Sequence, residues 1–240
     1  MSIQKIKAII WDYDGTLVDT RHKNLNVTKN IIDSITETDA LEFPALRSLE
    51  NYYLANRRAS NWRELYRQEF SLTEKQIDEA GRLWTAYQLN DDTDVAFYEG
   101  IEAVICDLAK YAHGIVSQNS RSSITQTLAK KNLLQFFNYI VGYEEVDLKK
   151  QKPAPDGLLR CMQKLSALEA GCVCYIGDHE TDVQCVRAAN RVLQKENINV
   201  KIYSIGACYD SDTDTSTWNI RPDFEAREVE DVLEIVEKIR

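Results

Sequence analysis

Residues 6–19 read IKAIIWDYDGTLVD, in which an apolar run gives way to acidic residues and a glycine. The run from Ile6 to Trp11 is short and rich in β-branched residues, which is typical of a buried strand, and the residues after it are typical of a loop. Residues two apart in an extended chain point the same way, so Asp12 and Asp14 project together. The segment therefore predicts a strand that delivers two carboxylates at its carboxyl end.

Four further apolar runs alternate with amphipathic, helix-like segments along the rest of the chain. We expect strands at 114–117, 139–142, 172–177 and 200–206. We expect helices at 101–112, 121–132, 156–168, 179–195 and 224–239, with His113 ending the first of them. Because buried strands that alternate with helices form a parallel sheet covered on both faces, the pattern predicts an α/β fold with a Rossmann-like, doubly wound parallel sheet.

A long segment between the first two strands interrupts this alternation. It has no strand pattern, and Trp62, Tyr66 and Phe70 follow one another at a spacing that places them on one helix face, as expected for the core of a small helical bundle. A connection of this size is too long for a simple crossover, so it predicts a second domain. We expect a core domain of residues 1–20 and 98–240 and a helical domain of residues 21–97.

The composition is that of an acidic globular protein. The 240 residues include 29 Lys and Arg against 38 Asp and Glu, a net charge of −9. Nucleic acids and membrane surfaces attract basic faces, so this charge argues against either as a partner. No run approaches the roughly 18 apolar residues of a membrane span, and the N-terminal segment lacks the apolar stretch of a signal peptide. The six cysteines form no CxxC pair, so we expect free, buried, reduced thiols and a cytoplasmic protein.

The acidic residues after the first strand are candidates for chemistry. Ligands of open α/β sheets bind beyond the carboxyl ends of the strands, which is where Asp12 and Asp14 would lie. Two close carboxylates repel each other, so the pair is costly without a cation or a proton between them. Gly15 lets the chain turn sharply, and the same residues taken alone are equally typical of a simple turn.

Polar residues also follow the second strand. Ser117, Gln118 and Asn119 offer a hydroxyl and amide groups that suit phosphate oxygens. Taken alone, Ser117 is also a residue that begins a turn or caps the next helix.

Two later segments carry charges beside the predicted strand ends. Lys152 stands in the proline-stiffened sequence KPAP, either as a fixed cation or as a solvated lysine. Asp178 and Asp182 are four apart at the start of a helix, where their side chains are neighbours and the helix N-terminus favours their charge. The alternative for this pair is an N-cap and a surface acid.

In this order, the four segments resemble the motifs of the haloacid dehalogenase superfamily of aspartate-nucleophile phosphohydrolases. The match consists of DxDGTLxD at 12–19, the serine at 117, KPxP at 152–155 and GDxxxD at 177–182. The resemblance spans the whole chain and implies a Rossmann-like core with an inserted helical cap domain. Residues 21–97 look like the cap of the subgroup that contains phosphoglycolate phosphatases, sugar-phosphate phosphatases and β-phosphoglucomutases.

The resemblance also implies a role for each motif residue. Asp12 would attack phosphorus to give an aspartyl-phosphate, Asp14 would exchange protons with the leaving group and water, and Lys152 would neutralise charge on both reacting groups. Mg²⁺ would be held by Asp12, Asp14 (through its backbone carbonyl) and Asp178, with Asp182 adjusting this set of ligands. Ser117, Gln118 and Asn119 would hold the phosphoryl oxygens.

The expected function is a Mg²⁺-dependent phosphatase that hydrolyses a small phosphorylated metabolite resembling phosphoglycolate or a sugar phosphate. A phosphomutase of the β-phosphoglucomutase type needs the same motifs and remains an alternative. A non-catalytic binding module is a third possibility, against which the intact motif set argues. Dehalogenases and phosphonate hydrolases are disfavoured because those relatives lack an equivalent of Asp14.

A cluster of arginines in the helical segment suggests a second contact with substrate. Our hypothesis is that one of them recognises another anionic or polar group of the substrate. The alternative is that Arg63 and Arg67 pair with Glu64 and Glu69 on a solvated helix face. The cluster consists of Arg47, Arg57, Arg58, Arg63 and Arg67.

Overall fold

A parallel sheet occupies the centre of the computed structural model, which describes residues 5–59, 61–210 and 213–240. The strands are β1 (Ile6–Trp11), β2 (Val18–Asp19), β3 (Ala96–Phe97), β4 (Ala112–Val116), β5 (Phe137–Val141), β6 (Gly171–Gly177), β7 (Val200–Ala207) and β8 (Phe224–Ala226). Six of these form one sheet in the order β5-β4-β1-β6-β7-β8, and every neighbouring pair is parallel. The short strands β2 and β3 form a separate sheet. The expected Rossmann-like α/β fold is confirmed.

The helices begin where the sequence offers capping residues. Ser120 caps α6, and the side chains of Thr73 and His179 cap α4 and α8. Their bounds are α1 (Arg21–Ile35), α2 (Leu49–Arg58), α3 (Trp62–Glu69), α4 (Glu74–Asn90), α5 (Ile101–Asp107), α6 (Arg121–Lys130), α7 (Asp156–Lys164), α8 (Glu180–Lys195) and α9 (Asp231–Ile239). Among the described residues, no helix has the length and apolar character needed to cross a lipid bilayer.

The chain folds into two compact units. Unit 1 consists of Met1–Asp19 and Phe97–Arg240, and unit 2 consists of Thr20–Ala96. In unit 1, buried side chains of β1 and β6, such as Ile10 and Tyr175, belong to one core with residues of α7 and α8. β1 lies in the middle of the sheet, so its residues are almost all buried and its sequence is apolar on both faces.

Unit 2 is built from α1 to α4 around its own apolar core. Tyr66 and Phe70 are buried there, and their ring centroids lie 5.4 Å apart. The ring of Trp62 packs edge-on against Tyr66 with a centroid distance of 5.7 Å. The aromatic spacing along α3 therefore supplies core packing, as the sequence predicts.

The structure differs from the sequence-based expectations at several places. Residues 224–226 form the edge strand β8 rather than the start of a helix, and the last helix begins only at Asp231. His113 lies within β4 instead of ending a helix, because α5 stops at Asp107 and a turn precedes the strand. All six cysteines are free, but Cys106 is exposed and Cys208 is only half-buried, against the expectation that all would be buried.

Candidate active site

The carboxyl ends of three adjacent strands meet at the candidate site. Asp12 follows β1, Ser117 follows β4 on one side of it, and Asp178 follows β6 on the other side. The backbone N–H of Asp12 donates to the carbonyl oxygen of Ile176 at 2.8 Å, which extends the β1–β6 pairing up to the acidic residue. The parallel sheet thus brings together motif residues that are far apart in sequence.

The turn after β1 depends on a glycine. Gly15 has a φ of 78°, in the left-handed region that favours glycine over other residues. A Cβ atom on Gly15 would lie 2.3 Å from Oδ2 of Asp178. Thr16, the next residue, donates its hydroxyl to Oδ1 of Asp178 at 3.3 Å. In the DGT sequence, Gly15 therefore leaves room for the Asp178 carboxylate, and Thr16 donates a hydrogen bond to it.

A buried lysine lies between two of the predicted site carboxylates. Nζ of Lys152 is 2.7 Å from Oδ1 of Asp12 and 2.7 Å from Oδ1 of Asp182. All three residues are buried, so this charge group is largely withdrawn from solvent. Gln118 is exposed, and its side-chain amide donates to the backbone oxygen of Lys152 at 3.4 Å, so it contacts the lysine loop.

The electrostatics of the group follow from its burial. Burial raises the pKa of Asp12 well above its usual value, and Asp182 and Asp178 add to this effect, while Lys152 opposes it. Burial, reinforced by the charge of Asp182, raises the pKa of Asp178 to about 7. Burial alone would lower the pKa of Lys152, but the carboxylates of Asp12 and Asp182 hold it above its ordinary value. Lys152 therefore stays protonated. Its single positive charge stands against the three neighbouring acids Asp12, Asp178 and Asp182.

This shortage of positive charge fits a divalent cation. Asp12, Asp178 and Asp182 each offer a carboxylate oxygen, and these oxygens lie within 4.8 Å of one another. Oδ1 of Asp12 is buried, and apart from its ion pair with Lys152 no described residue supplies it with a hydrogen bond. Oxygen ligands that are negatively charged and poorly satisfied suit Mg²⁺, a hard cation.

Asp182 differs from the other two acids because its oxygens are already occupied. Oδ1 accepts from Lys152 Nζ at 2.7 Å and from the hydroxyl of Tyr175 at 3.0 Å, and Oδ2 accepts from the backbone N–H of His179 at 3.1 Å. A Cβ atom on Gly177 would lie 2.5 Å from Cγ of Asp182, so this glycine leaves room for the carboxylate. The geometry favours Asp182 as the residue that fixes Lys152, with Asp12 and Asp178 more open to a cation.

Residues after β4 surround the second acid of the turn. Asn119 donates its side-chain amide to Oδ1 of Asp14 at 3.1 Å, and Ser117 donates its hydroxyl to Oδ2 at 3.4 Å. The backbone N–H of Asn119 donates in turn to the hydroxyl of Ser117 at 3.0 Å. Of the three residues predicted to hold phosphate, the structure brings Ser117 and Asn119 to Asp14, whereas Gln118 contacts the Lys152 loop.

Sequence reasoning did not single out Thr16 or Tyr175, which contact these acids, and it considered His179 as a surface residue or a substrate contact rather than as a helix cap. Thr16 lies within the quoted motif and could have been found as a hydroxyl beside Gly15. The residue at 179 caps α8 through its side chain, and a polar residue before a helix is a recognisable signal for this. Tyr175 lies within an apolar strand, where nothing in the pattern separates a core tyrosine from one whose hydroxyl reaches a carboxylate.

Comparisons with known proteins agree with this geometry. Residues 9–192 match the family of haloacid dehalogenase-like hydrolases. The chain is 25% identical over 242 residues to a protein named pyrophosphatase PpaX from Listeria monocytogenes, with 97% of each chain covered.

Solved structures show the same fold. A haloacid dehalogenase-like hydrolase from Bacteroides fragilis has a TM-score of 0.75 at 18% identity and covers 95% of this chain and 100% of its own. A phosphoglycolate phosphatase assigned in Lactobacillus plantarum has a TM-score of 0.72 at 16% identity, covering 96% of this chain and 99% of its own. Since the family match extends over most of the chain and includes the strands that carry the acids, this protein belongs to the haloacid dehalogenase-like hydrolases.

Proposed function

We propose that this protein is a Mg²⁺-dependent phosphatase that hydrolyses a small phosphorylated molecule through an aspartyl-phosphate on Asp12. The observation that carries the proposal is the buried group in which Lys152 lies 2.7 Å from both Asp12 and Asp182, with Asp178 beside them. A protonated amine at this distance favours the ionised, nucleophilic form of Asp12 against the burial that raises its pKa, and it also offsets the charge of an incoming phosphate.

The chemistry can be written with the residues of this chain. A carboxylate oxygen of Asp12 forms a bond to phosphorus as the bond from phosphorus to the leaving oxygen breaks, and Asp14 gives that oxygen a proton. In the second half, Asp14 takes a proton from water as the water oxygen attacks phosphorus, and the bond from phosphorus to Asp12 breaks. Phosphate leaves, and both acids return to their starting states.

The surrounding residues support these steps. Asn119 and Ser117 hold the Asp14 carboxylate by the hydrogen bonds described above, and Lys152 balances the charge that builds up beside Asp12. Asp12, Asp178 and the backbone carbonyl of Asp14 would hold Mg²⁺, with Asp182 fixing Lys152. When bound, the cation would supply positive charge against the phosphoryl oxygens.

A second anionic group on the substrate is the finer part of the proposal. The relatives described above are named as acting on pyrophosphate and phosphoglycolate, and each of these molecules carries an anionic group besides the phosphate that leaves. Arg57 of unit 2 stacks on the ring of Tyr53 at 5.5 Å, and Nη1 donates to the Tyr53 hydroxyl at 2.8 Å. Among the described residues no acid pairs with Arg57, so most of its donors are available to an anion.

The test is phosphate release from a panel of small phosphorylated compounds, with Mg²⁺ and with a chelator. We expect Mg²⁺-dependent turnover that falls by at least about a thousandfold in Asp12→Asn, because the amide is neither a nucleophile nor a good cation ligand. Asp107→Asn makes the same chemical change at an exposed position in α5 and serves as the matched control. A folded protein that releases phosphate from none of these compounds, or an Asp12→Asn variant as active as the control, would contradict the proposal.

A further inference from the structure

A buried tyrosine of the central sheet donates its hydroxyl to the buried group of charges formed by Asp12, Lys152 and Asp182. Tyr175 lies in β6, two residues before Gly177, and only 1% of it is exposed. Its ring belongs to the apolar core that β1 and β6 form with α7 and α8. Its hydroxyl lies 3.0 Å from Oδ1 of Asp182 and 3.3 Å from the backbone oxygen of Val116.

The single hydroxyl proton has a preferred acceptor. The carboxylate oxygen is both nearer than the carbonyl and charged, and hydrogen bonds to charged acceptors are roughly twice as strong as neutral ones. Oδ1 of Asp182 therefore accepts from Tyr175 and from Lys152 Nζ at 2.7 Å. Tyr175 and Lys152 share one oxygen atom.

This shared oxygen links the core of the sheet to the nucleophile. The Lys152 ammonium contacts Asp12 on one side and Asp182 on the other, so its position depends on where the Asp182 carboxylate is held. The backbone N–H of His179 holds Oδ2, and the Tyr175 hydroxyl holds Oδ1 against rotation of the carboxylate. A buried hydroxyl on a packed ring is a rigid donor, because the strand and its neighbours fix the ring.

We infer that Tyr175 is a positioning residue for phosphoryl transfer, which acts through Asp182 to hold Lys152 against Asp12. It touches neither substrate nor cation, and it sets the geometry of the ammonium that balances the charge on the nucleophile. This inference rests on the proposed phosphatase function and adds to it a residue outside the four motifs.

The first experiment compares Tyr175→Phe with wild type on the best substrate. Phenylalanine keeps the ring in the core and removes only the hydroxyl. We expect kcat to fall by roughly 10- to 100-fold, as for other residues that orient active-site groups, with KM changed by less than about twofold. Tyr52→Phe is the matched control, since it removes another buried hydroxyl, which lies 2.9 Å from the Thr28 hydroxyl in unit 2. We expect it to lower the melting temperature by a similar amount while kcat stays near the wild-type value.

The second experiment asks whether the effect passes through Asp182. In an Asp182→Ala background, the added Tyr175→Phe substitution should lower kcat by less than about twofold, since the carboxylate that the hydroxyl orients is then absent. An equal fall in both backgrounds would mean that the hydroxyl acts through packing, and it would overturn the inference. A kcat of Tyr175→Phe equal to that of Tyr52→Phe would overturn it as well.

These outcomes separate the inference from the function on which it rests. An active wild type whose kcat survives Tyr175→Phe overturns the inference alone. A wild type that releases no phosphate overturns the proposed function and, with it, the role of Tyr175.

Discussion

At the scale of single residues, the indole of Trp11 fixes the protonation of a buried histidine. Nε1 of Trp11 can only donate, and it lies 3.0 Å from Nδ1 of His113, which must therefore accept. Nε2 of His113 then carries the proton and donates to the backbone oxygen of Leu108 at 2.9 Å. The two rings are nearly parallel, with an interplanar angle of 9° and centroids 6.2 Å apart. Only the neutral imidazole satisfies both contacts.

This histidine predicts a loss of stability in mild acid. Burial lowers the pKa of His113 below its ordinary value. As pH falls through the usual histidine range, His113 is therefore protonated in the unfolded chain before it is protonated in the folded chain, which favours unfolding. We expect the free energy of unfolding to drop by about 1 kcal/mol between about pH 7.5 and pH 5.5, and His113→Phe to remove much of this drop. Urea unfolding at both pH values measures it.

The control for this prediction is His22→Gln. His22 is exposed, so this variant removes a histidine that takes no part in the buried Trp11–His113 contact. If His113→Phe and His22→Gln show the same slope of stability against pH, the drop has another origin.

Individual site residues could be predicted where a motif gives them a fixed place, and not otherwise. Asp12 and Asp178 directly follow apolar runs, so the sequence predicts that strand ends carry these two acids to one edge, and Lys152 is marked by the two prolines that follow it. The roles assigned to them stay predictions until activity is measured. The Trp11–His113 contact joins side chains of neighbouring strands, whose register no single segment of sequence contains. The Tyr175 hydroxyl reaches Asp182 across the junction of β6 and α8, and the apolar pattern of the strand does not show that contact.

At the scale of elements, the junction between β6 and α8 carries the densest set of site contacts. The strand ends at Gly177, the helix begins at Glu180, and Asp182 in the first turn reaches back to the N–H of His179. This contact satisfies one of the free N–H groups at the start of the helix. The Asp182 carboxylate that caps the helix also binds Lys152, so a change at the start of α8 also moves a partner of Lys152.

The prediction for this junction is that Gly177→Ala disrupts the site. The new Cβ atom would lie 2.5 Å from Cγ of Asp182, a distance at which the carboxylate must move away from Lys152. We expect kcat to fall by at least about tenfold, along with a lower melting temperature. Steady-state kinetics and thermal unfolding measure the two effects.

Gly157→Ala in α7 is the matched control, because the three atoms nearest to its new Cβ are methyl carbons of Val116, Val141 and Val146 at 3.3, 3.6 and 3.9 Å. We expect it to keep kcat near the wild-type value, since alanine also suits a helix better than glycine. Equal kinetics of the two variants would show that the junction tolerates a displaced Asp182.

Pairings between elements were the part of the local structure that sequence patterns predicted least well. Arg63 pairs with Glu74 and Asp78 of α4, and Arg67 pairs with Glu74, rather than with Glu64 and Glu69 as hypothesised. Residues one or two apart on a helix do not face each other, so the acids had to come from the next helix. The strand β8 escaped prediction because it has three residues and pairs with β7 alone.

At the scale of the whole molecule, the candidate site acids and the arginine cluster belong to different units. Unit 1 holds the acids of the site, while unit 2 holds the arginine cluster. Most of these arginines are already engaged within unit 2: Arg58 pairs with Glu69 at 3.0 Å, and Arg47 donates to the backbone oxygens of Leu41 and Glu42. Arg57 stands apart from them, since no acid among the described residues pairs with it.

This difference gives a prediction about substrate selection. We expect Arg57→Ala to raise KM by about tenfold for substrates with a second anionic group, with kcat little changed, because the lost contact is made equally in the ground and transition states. For substrates without such a group, KM should stay within about twofold. Arg58→Ala is the matched control and should leave KM unchanged. Equal KM values for wild type and Arg57→Ala on every good substrate would rule out this contact.

The central place of β1 has a consequence for how the protein is made. Ile6–Trp11 is synthesised before its partners in the sheet, which begin only at Ala112 and Gly171. This apolar strand must therefore wait for both partners, and closing those long loops costs entropy before any pairing compensates for it. A nascent chain that stops short of β6 carries Asp12 without Asp178 or Asp182. The candidate site can therefore form only after β6 and the start of α8 have been synthesised. Until then the unpaired, apolar β1 segment is exposed to aggregation with other chains.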